Sequence, residues 1–409
     1  MKFQKTFSST TALLIAVMSF IYVGCSKTDL TDQNDVEGLQ VFDISPIEGQ
    51  YIVELYDTEE SKSYKVAPVY GQIIAQTEAY ILRTFENIGL SKEQLQYVYG
   101  GTIVGFCAQL DSEQLAYLEK SSLVKNVEQD QMIILKKPKN PGGGNGGGGG
   151  STDPAQTTPW GITRVGGSGD GTGKRAWIID SGVDMDHKDL NVDAANSISF
   201  LTGSPSNRTP EDGHGHGTHV AGTVAAKDNS IGVVGVAANA SVVAVRVLDK
   251  RGSGSTSGVI KGVDYVGTNG SSGEVANMSL GGGVSSTLDN AVKSAASGGV
   301  KFVLAAGNDS DNANNHSPAR ANGTNIYTIS ASDANDRFAS FSNYGNPPIE
   351  VAAPGVSINS TWKGGSYRSI SGTSMAAPHV TGILLLGSLK TDGVVSNDRD
   401  SQADSIAHR

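Results

Sequence analysis

The chain has 409 residues, with 31 Lys and Arg against 41 Asp and Glu, a net charge of -10, 52 glycines and 18% charged residues. That length allows two or three domains and a large core without cross-links; the glycines follow no collagen repeat, and the charged fraction is too low for a disordered chain. The acidic excess is spread along the sequence with no basic block, which argues against nucleic-acid binding.

Lys2 and Lys5 precede an apolar stretch over 11–23, which ends at Gly24 and Cys25. A charged start and an apolar run shorter than the about 20 residues of a membrane span predict a secretory signal over 1–25, so the protein is expected to be exported. The Gly24-Cys25 pair resembles a bacterial lipobox. Cys25 would then carry a lipid, the only contact with a membrane, and the polar residues 26–41 would be a tether of a cell-envelope lipoprotein precursor. Cys25 and Cys107 are the two cysteines, too few for a disulfide framework.

Next, QYIVELY alternates as a strand, AQTEAYILRTFENIGL has helical spacing, TIVGFCAQL is strand-like, and DSEQLAYLEKSSLVKNVEQD reads as helix then strand. Together they predict a small α+β domain over 42–137. The glycine-rich stretch 138–155 behaves as coil, roughly 20–25 Å from end to end, and is a linker. Over 156–409, β-branched runs such as RAWIID, SVVAVRVLD, VKFVLAAGN and IEVAAP alternate with helical segments such as THVAGTVAAK and TLDNAVKSAASGG. That pattern predicts a doubly wound, mostly parallel α/β sheet with helices on both faces.

Ligands of such sheets sit beyond the carboxyl ends of the strands. Asp180 closes RAWIID, Asn308 closes FVLAAGN, and Ser374 opens an apolar helix after Gly372. A serine at a helix start lies beside unpaired N–H groups and the positive end of the helix dipole, which favour an oxyanion near its Oγ; a capping serine is the structural alternative. His216 offers a base, with Asp180 to orient its ring. His214, His216 and His219 are also spaced as metal ligands, with Asp180, Asp184 or Asp186 to complete a site. A metal-dependent hydrolase is therefore the rival enzyme reading, and a catalytically inactive binding protein of the same fold the rival of another class. His187, His316 and His408 read as surface residues, His379 as packed beside the Ser374 helix, and Cys107 as a buried core thiol.

Asp180-Ser181-Gly182, the HGTHVAG of 216–222 and the GTSMAAP of 372–378 resemble the three signature segments of subtilisin-like serine proteases, in the order Asp, His, Ser. Pro159-Trp160-Gly161, Ser279-Leu280-Gly281-Gly282 and Ala305-Ala306-Gly307-Asn308 extend the resemblance toward the proteinase K branch. It implies Ser374 as nucleophile, His216 as general base and then acid, Asp180 as orienting carboxylate, and Asn308 with the Ser374 N–H as oxyanion hole. Gly252, Ser253 and Gly254 on one side, and Ser279, Leu280 and Gly281 on the other, would offer backbone edges to a substrate strand. Ala305, Ala306 and Gly307 would line an apolar pocket for the residue before the cut. The implied activity is a monomeric serine endopeptidase on protein or peptide substrates, broad in specificity with apolar or aromatic residues preferred, needing no cofactor for its chemistry. His219 is then a structural residue of its helix. Structural calcium would fall to the Thr324 and Ile326 carbonyls with Glu350, where the proteinase K branch has Asp. The small domain is similar to the inhibitory propeptides of these proteases, which implies an intramolecular inhibitor and chaperone whose segment near 130–135 lies in the cleft.

Overall fold

A computed structural model describes residues 45–135 and 154–409. The signal, Cys25, the tether and nearly all of the linker lie outside the described residues.

In the first domain, strands Pro46–Leu55, Leu95–Tyr99, Val104–Gln109 and Val124–Ile134 pair antiparallel, with Pro46–Leu55 between Val124–Ile134 and Val104–Gln109. Alternation sends Val53, Leu55 and Phe106 to one face, where they pack with Ile81 and Phe85 from the segment around helix Tyr70–Thr84 and Leu118 from helix Ser112–Leu118. Asp111 caps the second helix by accepting from the Glu113 and Gln114 N–H groups. The periodic segment that predicts one long helix instead stops at Thr84, followed by a 3-10 turn, Glu86–Ile88, that Gly89 closes at φ 67.

The second domain is built on a sheet whose strands run in the order Lys390–Val394, Ser405–His408, Ile349–Pro354, Ile326–Ser332, Lys301–Ala305, Val275–Met278, Arg175–Asp180, Ser241–Arg246 and Asn191–Val192. All pairings are parallel except that of Lys390–Val394 with Ser405–His408. Continuous apolar strands suit a sheet covered on both faces: Ala176, Trp177, Ile178 and Ile179 are all fully buried, and separate apolar clusters lie on the two sides. Ser241–Arg246 pairs with one edge of Arg175–Asp180 and Val275–Met278 with the other, so the strand order reverses around this strand. Its carboxyl end, Asp180, therefore opens on the crevice where α/β sheets bind ligands. The acidic stretch after Leu389, which carries no clear pattern, adds the two edge strands, held by Arg164 on Asp336 at 2.7 Å and on the Asp392 carbonyl at 2.8 Å.

Candidate active site

Asp180 is fully buried, and its Oδ1 accepts from the Ser181 N–H at 2.7 Å. His216 begins helix His216–Ala225, and its Nδ1 lies 2.9 Å from each Asp180 oxygen, which fixes the ring with Nε2 facing away from the carboxylate. Burial alone would lower the His216 pKa; the charge and hydrogen bond of Asp180 outweigh it and hold the imidazole above its ordinary value. The turn before this helix is fastened by Asp212, which accepts from the N–H groups of His214, Gly215 and Thr218. The small residues here serve close packing: a Cβ on Gly215 would fall 2.3 Å from the Trp362 ring, and one on Gly217 2.1 Å from the Gly182 carbonyl.

Ser374 lies in the first turn of helix Thr373–Leu386, whose cap position belongs to Gly372, so it is not a capping serine. Asn308 accepts at Oδ1 from the Thr373 N–H (2.8 Å) and hydroxyl (3.0 Å). Its amide nitrogen thereby comes to flank the space over Gly372, where a Cβ would stand 3.5 Å from Asn308 Nδ2 and 3.7 Å from the Ser374 nitrogen. Both nitrogens thus border one small space, which Asn308 Oδ1 also borders at 3.7 Å. The Ser374 hydroxyl itself donates to the Ser279 carbonyl at 3.2 Å, and among the described residues no hydrogen bond joins it to the His216 ring.

The first domain reaches this crevice directly. Val124–Ile134 pairs antiparallel with Ser253–Ser255, with Ile133 opposite Gly254 and Ile134 opposite Ser253, and the Leu135 N–H donates to the Gly252 carbonyl at 2.8 Å. On the other side, a Cβ on Gly282 would meet Ile133 at 3.1 Å, but Val124–Ile134 makes no strand pairing with Ser279, Leu280 or Gly281; Ser279 instead spends its carbonyl on Ser374. Ala305 and Ala306 are buried at the end of Lys301–Ala305, and Gly307 donates its N–H to the Thr373 hydroxyl at 3.1 Å.

The imidazoles do not converge on a metal. His219 Nε2 faces the carbonyls of Ile358 and Arg368, each at 3.0 Å, so it carries the ring proton; burial brings this histidine down to about 3. The rings of His214 and His216 are 6.3 Å apart, and among the described residues no three His, Cys, Asp or Glu side chains could hold a metal ion. His379 lies on the Ser374 helix, with Nδ1 donating to the Met375 carbonyl at 2.8 Å and a pKa that burial lowers to about 4. His187 departs from the surface reading. It is 3% exposed, its Nδ1 accepts from the Asp189 N–H, and its ring meets Tyr367 edge-on. His316 is half-buried against Asp311 at 3.1 Å.

Sequence reasoning missed how the first domain grips the second. Glu128 and Asp130 stand two apart on one strand and so share a face. The Ser286 N–H donates to Glu128 Oε2 at 3.1 Å and the Ser285 hydroxyl to Oε1, at the start of helix Ser286–Ser297. The Ser257 N–H donates to Asp130 Oδ1 at 3.0 Å and its hydroxyl to Oδ2, at the start of helix Thr256–Asn269. Each carboxylate meets orphan donors and a positive dipole end. In the opposite direction, Asp264 of the second domain accepts from the N–H groups of Gly100, Gly101 and Thr102 and from the hydroxyls of Thr102 and Tyr70. The alternation in VKNVEQD was the available signal for the first pair; nothing local marks Asp264.

A parallel sheet with an Asp and a His at its switch point and a serine in the facing helix defines a hydrolase of the triad type. Comparison with known proteins makes this specific. The Subtilase family profile matches residues 176–392, and that of Peptidase inhibitor I9 matches residues 50–136. The chain is 42% identical over 311 residues to Alkaline serine exoprotease A of Vibrio alginolyticus, covering 73% of this chain and 54% of the relative, so it spans about half of that protein. It is 39% identical to an Alkaline protease of Alkalihalobacillus alcalophilus, over 78% of this chain and 77% of the relative. Among solved structures, a cold adapted subtilisin-like serine proteinase matches with TM-score 0.53 and 38% identity, over 61% of this chain and 97% of that one. The chain belongs to the subtilase family: it is a subtilisin-like serine endopeptidase carrying an I9 inhibitor domain.

Proposed function

We propose that Ser374 is the nucleophile of this endopeptidase, with His216 as general base and Asp180 as the carboxylate that orients it. The observation that carries this reading is the contact of His216 Nδ1 with both Asp180 oxygens, which leaves Nε2 to take a proton. For attack, the Ser374 hydroxyl leaves the Ser279 carbonyl and turns to His216. Oγ bonds to the substrate carbonyl carbon as its proton passes to Nε2, and the oxyanion is received by Asn308 Nδ2 and the Ser374 N–H. Collapse breaks the C–N bond, with His216 returning the proton to the leaving amine. Water, deprotonated by His216, then hydrolyses the acyl ester. An organophosphonate should label wild-type Ser374 and fail on Ser374→Ala; labelling elsewhere with full loss of activity would remove the assignment.

Residues 42–137 act as intramolecular inhibitor and chaperone, and 156–409 as the protease. Support comes from the strand Val124–Ile134 paired along Ser253–Ser255 and from Leu135 on Gly252, a backbone-to-backbone mode that tolerates many sequences. Substrates are proteins or peptides, with apolar or aromatic residues preferred before the cut because Ala305, Ala306 and Gly307 offer no charge there, and the enzyme works as a monomer. Export, lipidation at Cys25 and release of the protease when the propeptide is cut remain the sequence-based part of the reading. Fractionating cells that express wild type or Ser374→Ala tests it: equal membrane retention of both catalytic domains would rule out release by self-cleavage.

Calcium would be held by the carbonyls of Thr324 and Ile326 with Glu350. What supports this is that all three donors are oxygens near the starts of the adjacent strands Ile326–Ser332 and Ile349–Pro354, and that the Glu350 charge is felt by the Tyr327 phenol, which burial and that charge raise above its ordinary value. Bound there, the ion would tie two strand starts together and take no part in the chemistry. A fall in thermal stability on adding EDTA, abolished by Glu350→Ala, is expected.

A further inference from the structure

Two charged residues on one helix of the catalytic domain face the inhibitor domain, and the contact treats them unequally. Asp264 has five donors from the first domain. Lys261, one turn earlier, is 7% exposed; its Nζ donates to the Val98 carbonyl and stands 4.8 Å from the centre of the Tyr70 ring. No carboxylate lies within ion-pair distance of it among the described residues. An ammonium is thus taken out of water between two domains with a single carbonyl and a ring in return, a cost that falls only while they are docked.

We propose that Lys261 makes the inhibitor domain's hold on the protease pH-dependent, through a contact separate from the strand pairing on Ser253–Ser255: docking tightens as Lys261 loses its proton. This rests on the reading of residues 42–137 as the inhibitory cover.

The direction follows from linkage. Burial lowers Lys261 to about 8 in the docked state, only partly opposed by Asp264, whereas in the separated state it returns toward its ordinary 10.5. Below pH 8 both states hold the proton and docking does not vary. Above pH 8 the docked state releases a proton that the separated state keeps, so raising the pH favours docking. The other groups around this contact are Tyr265 and Asp264 on the same helix, Tyr70 on the inhibitor helix, Tyr97 and Tyr99 on Leu95–Tyr99, Asp130 and Cys107 on the neighbouring strands, and Asp289 and Lys293 on the adjoining helix. Asp289 is pushed by burial to about 6, below the window. Burial raises the four tyrosines, Tyr97 to about 12, and also the Cys107 thiol, so the docked forms stay neutral. On separation Cys107 and the tyrosines regain lower values, and their ionisation opposes the Lys261 effect from about pH 9 to 10 upward. The tightening is therefore expected between pH 8 and about 10, by up to a factor on the order of 100.

The test uses the full-length chain carrying Ser374→Ala, which stays uncut. The probe is amide hydrogen exchange at Gly101 and Thr102, whose N–H groups are bonded to Asp264, corrected for base catalysis at each pH. In this background, protection with Lys261 should rise by up to about 100-fold from pH 8 to 10. Lys261→Met should start at the upper level and Lys261→Arg, which keeps its charge, at the lower one, and neither should rise; both are flat from pH 8 to about 9 and decline above it as Cys107 and the tyrosines ionise in the separated state. A flat profile with Lys261 in place overturns the proposal whatever the variants do, and so does a Lys261→Met profile that still rises. Amides of Arg175–Asp180 serve as the internal check that each chain is folded. Amides at 101 and 102 unprotected at every pH would instead overturn the cover itself.

Discussion

The interior of the catalytic sheet and the contact between the two domains are both buried, yet they are made of different material. Around Arg175–Asp180 the neighbours on either face are apolar, mostly Val, Ile, Ala and Leu with Phe302, Met278 and Met375. The domain contact has an apolar part, in which Ile52, Tyr99 and Ile133 join the catalytic cluster, but its fixed points are Glu54, Glu128, Asp130, Lys261 and Asp264. Even Glu54 is spent across it, accepting from Asn290 Nδ2 at 2.9 Å as well as from Lys125. An apolar core loses its stabilisation when opened, because water offers nothing in its place. Helix N-termini and carboxylates can be satisfied by water once parted, so the same burial gives a contact that is specific and still releasable. The first region suits a part that persists, the second a cover that leaves, as the function proposed above requires.

The sharpest way to break this comparison is at the nucleophile. Ser374→Ala should lower kcat on the order of 10⁶-fold, a size borrowed from a member of this family, while leaving the fold and the docked cover unchanged in circular dichroism and hydrogen exchange. A catalytic domain that loses its structure with the hydroxyl would mean that the site and the core are not separate layers. Asn308→Ala is expected to cost about 10²- to 10³-fold in kcat with little change in KM, again a magnitude known from a relative. Because Oδ1 also holds Thr373, the Asn308→Asp variant, which keeps that acceptor, separates loss of the donor from loss of position.

Changes at the domain contact should be smaller and of another kind. Glu128→Gln with Asp130→Asn keeps shape but weakens two charge-assisted caps, and should loosen the cover roughly 10- to 100-fold, read as a shorter lag before activity appears after processing. If the lag is unchanged, the grip lies in the apolar part of the contact. Smallest of all is the effect of pH on the mature enzyme. His216 must be neutral to act, and Asp180 holds it above its ordinary value, so half of the acid-side loss should occur above pH 6.5 rather than below it. His214 is held below its ordinary value by burial and by the nearby His216, so it should lose its proton at lower pH than His216, and His214→Asn should leave the midpoint of the limb in place.

The fold was legible because parallel strands buried on both faces must be continuous apolar runs, and the helices between them must carry their own period. The candidate site was legible for another reason: Asp180, His216 and Ser374 each sit in a short segment that resembles a signature of the family, while the small residues there answer to partners far along the chain, Gly215 to Trp362 and Gly217 to the Gly182 carbonyl. His187 was misjudged because a polar ring between Asp186 and Lys188 gives no local hint that Tyr367, far along the chain, covers it.

What the sequence determined by itself, then, is everything whose cause lies within a few residues: strand and helix periods, the turn glycines, and the division into a small α+β domain and a larger α/β one. Only the tertiary structure decided that Ser374 rests on the Ser279 carbonyl, that Glu128 and Asp130 serve the starts of two helices in the other domain, that Lys261 is buried with a carbonyl and a ring, and that the acidic tail completes the sheet. In each case the partner lies far away in the sequence or in another domain, and the free energy comes from desolvation and from orphan backbone groups that exist only once both elements are in place.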